Sequence, residues 1–142
     1  MSDLPGQARV RIAIIGAGAV SDYHHVPGIR LDPRAELVAA CDTSESLLEQ
    51  RRAEWSIDRG TTDYREICQD PDIDAVIIAT PHYAHTPLPI QAFKHGMHVL
   101  SEKPLAVHKA DAEKMLKACP RGRKFATMFQ FRVSPLYKKV KT

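Results

Sequence analysis

No apolar run in this 142-residue chain approaches the roughly 18 residues that a membrane-spanning helix needs, so no membrane partner is expected. Met1-Ser2-Asp3-Leu4-Pro5-Gly6-Gln7 has neither the basic nor the apolar stretch of a secretory signal. A flexible polar start over residues 1–8 is expected instead. Cysteine is scarce: Cys41, Cys68 and Cys119 form no C-x-x-C and are odd in number. That pattern reads as reduced, mostly buried thiols and fits a cytoplasmic setting. His82 and His85, like His95 and His98, are three apart but lack nearby cysteine or carboxylate ligands, so no metal site is expected. Nor is there a strong excess of charge. The net charge is +3, and the basic residues near the end (Arg121, Arg123, Lys124, Lys138, Lys139, Lys141) accompany no nucleic-acid-binding module. They read as solvated surface or a domain contact, and no nucleic-acid partner is expected. Repeats, linkers and low-complexity segments are also missing.

What is present is an ordinary globular composition, 44% hydrophobic and 26% charged, at a length suited to one domain. The segment Val10-Arg11-Ile12-Ala13-Ile14-Ile15 runs straight into Gly16-Ala17-Gly18-Ala19-Val20-Ser21. A β-branched apolar run of this kind reads as a strand buried on both faces of a parallel sheet. Gly16 makes a tight turn. Gly18, with no Cβ, lets the backbone approach a pyrophosphate at the start of the following helix. Residues Gly16, Ala17, Gly18, Ala19 and Val20 are therefore candidates for cofactor binding. The third glycine of a dinucleotide-binding fingerprint is replaced by Ser21, a small residue that can still permit close packing.

A second strand, Glu36-Leu37-Val38-Ala39-Ala40-Cys41, ends at Asp42. A carboxylate there can accept hydrogen bonds from both hydroxyls of an adenine ribose and would repel a 2′-phosphate. Thr43 and Ser44 follow, with no adjacent arginine. The expected cofactor is therefore NAD, ahead of NADP. Asp42 has a second reading as the cap of the next helix, a role open also to Thr43 or Ser44.

The chain alternates strands and helices. Strands are expected near 9–15, 36–41, Thr61, 74–79, 97–101 and 124–131, with helices near 18–30, 44–55, 63–68, 86–95 and 108–118. Pro27 interrupts the first helix and is expected to kink or end it. Thr86 is expected to cap the fourth, Gly96 to end it, and Ser134-Pro135 to start a last helix. This alternation calls for an α/β, doubly wound parallel sheet, the Rossmann fold, in the order 3-2-1-4-5-6. The fifth strand leads into Glu102-Lys103-Pro104. Proline ends pairing there, and in an open α/β sheet the carboxyl ends of the strands bind ligands. The turn thus presents Lys103 to a site, with Glu102 beside it.

Taken together, these features resemble the glucose–fructose oxidoreductase/inositol dehydrogenase (Gfo/Idh/MocA) family. Asp72-Ile73-Asp74-Ala75-Val76-Ile77-Ile78-Ala79-Thr80-Pro81 looks like that family's fourth strand and its Thr-Pro turn. His85 sits where the family usually carries a histidine, and Gly96-Met97-His98-Val99-Leu100 leads into Glu-Lys-Pro as the family does. Phe129-Gln130-Phe131-Arg132 with Ser134-Pro135 looks like its domain junction, so residues 133–142 would start the junction helix. His82 departs from the asparagine common after Thr-Pro.

The resemblance implies that residues 1–142 form the nucleotide-binding domain of an NAD(P)-dependent oxidoreductase. Such an enzyme moves hydride between nicotinamide and a hydroxyl-bearing carbon of a sugar, inositol or related polyol. Lys103 would be catalytic, with Thr80, Pro81, His82, His85, Glu102 and Lys103 joining the cofactor site. His85 either touches the nicotinamide end or hydrogen-bonds its own loop. Family members carry a second α/β domain that supplies most of the substrate pocket. This chain alone is thus expected to be catalytically incomplete and, with apolar surface uncovered, to form homo-oligomers. The alternative is a dinucleotide-binding sensor or regulatory subunit without catalysis.

Overall fold

The computed structural model describes residues 8–140. The expected flexible start over residues 1–8 falls almost wholly outside them. Six strands form one parallel sheet: β1 (Val10–Ile15), β2 (Ala35–Cys41), β3 (Arg59–Thr61), β4 (Ala75–Ile78), β5 (His98–Ser101) and β6 (Phe125–Thr127). Their order is β3-β2-β1-β4-β5-β6, and every pair is parallel. The helices are α1 (Val26–Leu31), α2 (Glu45–Trp55), α3 (Tyr64–Gln69), α4 (Pro87–Lys94), α5 (Lys109–Ala118), α6 (Gln130–Val133) and α7 (Pro135–Val140).

The sheet is buried on both faces because its strands are apolar at consecutive positions, not alternate ones. Along β1, Ala13 and Ile15 join a cluster with Cys68, Leu88, Phe93 and Met97. Ile14 points the other way, into a cluster with Val26, Leu48 and Trp55. In β4, Val76 and Ile78 take the first side and Ile77 the second. Two apolar layers thus hold helices on both faces and fix the carboxyl ends of β1, β2, β4 and β5 along one edge. Cys41 and Cys68 sit in the first layer. Burial pushes their thiols up, to about 12 and about 11, so both are neutral and poor nucleophiles.

Local chemistry sets the boundaries. The Ser44 hydroxyl accepts from the Leu47 N–H and caps α2. The Asp63 carboxylate accepts from the Arg65 N–H at the start of α3. Gly96, with φ at +74°, lets the chain leave α4 in the left-handed region.

Three expectations are corrected. Pro27 does not end the first helix. The helix passes through a π-helical segment, Ser21–His25, in which the Val26 N–H donates five residues back to the Ser21 carbonyl. The wider turn comes just before Pro27, whose ring would crowd the carbonyl four residues earlier. Thr86 makes no side-chain capping bond to α4, and its backbone is already helical. The sixth strand stops at Thr127 rather than 131, since residues 130–133 turn into α6. The last helix begins at Pro135, where a proline in the first turn was expected.

Candidate functional site

The strand order reverses between β1 and β4, and the turns leaving β1, β2, β4 and β5 meet at that point. The turn after β1 is held tightly. The Gly16 N–H donates to the Cys41 carbonyl at 2.8 Å, and the Ala79 N–H to the Ile15 carbonyl at 2.8 Å. Gly16 has φ +103°, and a Cβ there would stand 2.5 Å from the Ala79 carbonyl oxygen. Gly18 differs: a Cβ there would meet no atom within 4 Å. One glycine is needed for the fold of the turn, and the other leaves its outer side open. Ser21, in place of the third glycine, is buried, and its hydroxyl donates to the Gly16 carbonyl at 2.6 Å. The substitution therefore ties the turn down. Ala17 is fully buried, whereas Val20 is 39% exposed.

Asp42 holds two turns at once. One carboxylate oxygen accepts from the Ala17 N–H at 2.8 Å and the other from the Ser44 N–H at 2.9 Å. Since Ser44 caps α2, Asp42 is not the cap. An ionised carboxylate offers about four acceptor positions, so roughly two remain for ribose hydroxyls. Thr43 beside it is exposed.

Sequence reasoning missed Arg51. From α2 its guanidinium donates to the Ala17 carbonyl at 3.2 Å and to Asp22 at 2.9 Å, and it also pairs with Glu54. The Trp55 indole N–H donates to the other oxygen of Asp22 at 2.9 Å. An arginine nine residues past an aspartate carries no motif, and only the packing of α2 against the glycine turn exposes its role.

Across the reversal point, the turn after β4 carries Thr80, Pro81 and a 3₁₀ segment, His82–Ala84. The Thr80 hydroxyl is buried and has no hydrogen-bond partner among the described residues. A buried hydroxyl left unpaired at the reversal point marks a place where a ligand group can supply the bond. His85 is 1% exposed, with its two ring nitrogens 2.8 Å from the Thr80 and Pro104 carbonyls. Of its two readings, the loop role is the one that these contacts show: the ring ties the β4 turn to the β5 turn. His82 meets His85 edge-on at 5.7 Å and is otherwise exposed. No group of three metal-ligating side chains occurs among the described residues.

The turn after β5 completes the set. The Glu102 N–H donates to the Ile78 carbonyl at 2.8 Å, so the chain is still attached to β4 when it leaves the sheet. The Lys103–Pro104 peptide is cis. The Glu102 carboxylate is 2.8 Å from the ring of His25 and also accepts from the Lys103 N–H at 3.2 Å. Lys103 is exposed, and its ammonium makes no bond or ion pair among the described residues.

A tight glycine turn, a carboxylate at the end of β2 and an unpaired hydroxyl after β4, gathered where the strand order reverses, define a dinucleotide-binding Rossmann domain. The comparisons agree. Residues 10–129 match the oxidoreductase family with the NAD-binding Rossmann fold, GFO_IDH_MocA, and the chain belongs to that family. It is 36% identical over 111 residues to a scyllo-inositol 2-dehydrogenase (NAD(+)) of Bacillus subtilis, matching 75% of this chain and 32% of that protein. It is 34% identical over 116 residues to a 1-carboxy-3-chloro-3,4-dihydroxycyclohexa-1,5-diene dehydrogenase of Comamonas testosteroni, matching 82% of this chain and 29% of that one. The crystal structure of apo scyllo-inositol dehydrogenase from Lactobacillus casei superposes with a TM-score of 0.87 at 28% identity, over 95% of this chain and 40% of that one. The chain thus spans about a third of the length of these curated relatives.

Asp42→Ala is expected to weaken NAD binding by about 1–3 kcal/mol, the range for hydrogen bonds to a charged group. Isothermal titration of the two proteins measures this. An unchanged affinity would remove Asp42 from the ribose site.

Proposed function

We propose that this chain is the cofactor half of an NAD-dependent dehydrogenase acting on a hydroxyl-bearing carbon of an inositol, a sugar or a related polyol. The observation that carries the reading is the meeting of the Gly16 turn, Asp42 and the Lys103 turn at one end of the sheet. The relatives named as inositol and diol dehydrogenases support the substrate class. Nicotinamide, when bound, supplies the hydride chemistry.

The residues of this chain bind and orient. Gly16 and Ala17 shape the turn, and the backbone from Gly18 to Val20 would face the pyrophosphate. Asp42 and Thr43 receive the adenine ribose, while Thr80, Pro81 and His82 border the nicotinamide end. His85 and Glu102 fix the two turns that frame it. Lys103 directs a cationic group toward the substrate oxygen, where a fixed positive charge stabilises negative character as the proton leaves. In this reading the protein works in the cytoplasm on a small-molecule substrate and assembles as a homo-oligomer. Among the described residues no helix is long and apolar enough to cross a membrane.

Alone, the chain is expected to bind NADH but to show little or no polyol turnover, because a second unit must supply the pocket walls that orient substrate and exclude water. Phe131, Val133 and Leu136, all at least 59% exposed, lie at the junction and favour self-association. NADH fluorescence titration, a steady-state assay and sedimentation check the three parts. Robust turnover by the chain would contradict the division of labour, and a strictly monomeric profile would contradict the self-association. Absence of NADH binding would contradict the whole reading.

A further inference from the structure

We propose that His25 is a positioning residue for the Lys103 turn, acting through Glu102. This rests on the reading of Lys103 as the group that faces substrate. The His25 side chain is 4% exposed and the Glu102 side chain 14%, with Nε2 and Oε1 at 2.8 Å. An ionised carboxylate only accepts, so Nε2 carries the hydrogen and donates it. The other Glu102 oxygen accepts from the Lys103 N–H at 3.2 Å. One carboxylate is therefore held from the helix that follows the glycine turn and in turn holds the backbone of Lys103.

The geometry depends on the π-helical segment. Ser21 and His25 are its buried residues. Ser21 anchors to Gly16, and His25 reaches across to the end of β5. Burial holds the His25 ring below its ordinary imidazole value, against the opposing pull of Glu102 and with a small push in the same direction from His24. The ring is then neutral at neutral pH and serves as a fixed donor. The π-helical segment thus carries one side chain bonded to the glycine turn and another bonded to Glu102 beside Lys103. A histidine that only filled space between helix and sheet would leave Lys103 indifferent to its replacement.

Amide spectra of the nitrogen-15-labelled chain separate these cases without any cofactor. In His25→Leu the Lys103 amide resonance is expected to move, while amides of β1 and β4 hold their positions. In His25→Gln, whose amide can still donate to Glu102, it is expected to stay near its wild-type position. Should His25→Leu fail to fold, Glu102→Leu is read at the His25 ring, whose resonances are expected to shift. In a two-domain enzyme carrying this unit, His25→Leu is expected to lower kcat roughly 10- to 100-fold, as misplacement of a reacting group does, with the KM for NAD held. His25→Gln is expected to recover most of that loss. An unmoved Lys103 amide in His25→Leu, unmoved His25 ring resonances in Glu102→Leu, equal shifts in His25→Leu and His25→Gln, or an unchanged kcat would overturn the proposal. NADH titration of the wild-type chain reports separately on the cofactor reading, so the two can fail independently.

Discussion

Replacing Lys103 with methionine is expected to lower kcat by roughly 10²–10³ in a two-domain enzyme carrying this unit, the loss typical of removing one preorganised charge-stabilising donor. Affinity for NAD should hardly change. The split follows from where Lys103 sits. Its backbone is fixed, through the Glu102 carboxylate and the pairing of the Glu102 N–H to the Ile78 carbonyl. Its side chain is exposed, with no partner among the described residues to hold it elsewhere. A methionine of similar length keeps the apolar stem and removes only the charge. Steady-state kinetics with both substrates varied reads the two constants separately. Near wild-type turnover would make Lys103 a surface charge. Loss confined to NAD affinity would make it a cofactor ligand instead.

Gly16→Ala is expected to destabilise the fold strongly. Its φ of +103° is costly for any L residue with a Cβ, at about 1–3 kcal/mol. The new methyl would also stand 2.5 Å from the Ala79 oxygen, 2.6 Å from its carbon and 3.0 Å from the Thr80 nitrogen. Those are backbone atoms leaving β4, and they cannot rotate away. Overpacking of that kind adds about 1–3 kcal/mol. Against a domain stability of about 5–15 kcal/mol, the sum is a large fraction. Gly18→Ala provides the contrast, since its Cβ would point into open space. That variant should melt near wild type. Thermal unfolding of both checks this, and a Gly16→Ala chain melting within about 2 °C of wild type would contradict the close approach of β1 and β4.

Much of this was legible in the sequence because the sheet is buried on both faces. Uninterrupted runs such as Ile12-Ala13-Ile14-Ile15 and Ala75-Val76-Ile77-Ile78 have only one environment that suits them. Strand-then-glycine, strand-then-aspartate and strand-then-Glu-Lys-Pro punctuation marked three of the four turns by local rules alone. Local rules failed where a partner came from far along the chain. His25 meets Glu102 across 77 positions and Arg51 meets the Ala17 carbonyl across 34. Neither pairing has a spacing to read. Pro27 reads locally as a residue that kinks or ends a helix, but the chain continues to Leu31 after a π-helical turn, with Val26 and Ile29 in the apolar layer. The sixth strand is shorter than its residues suggest, since Met128-Phe129-Gln130-Phe131 is strand-like in composition yet leaves the sheet. It lies at the sheet edge, where pairing on one side only does not hold it extended.

The most direct test of the central claim is a calorimetric titration of the chain with NAD⁺ and NADP⁺ side by side. The Asp42 carboxylate, fixed by the Ala17 and Ser44 N–H groups, stands ready for ribose hydroxyls and against a 2′-phosphate. Like-charge contact at the protein surface costs on the order of 1.4 kcal/mol or more, or tenfold in affinity. The expected result is measurable NAD⁺ binding with NADP⁺ weaker by about tenfold or more. Equal or tighter binding of NADP⁺, or no binding of either, would contradict it.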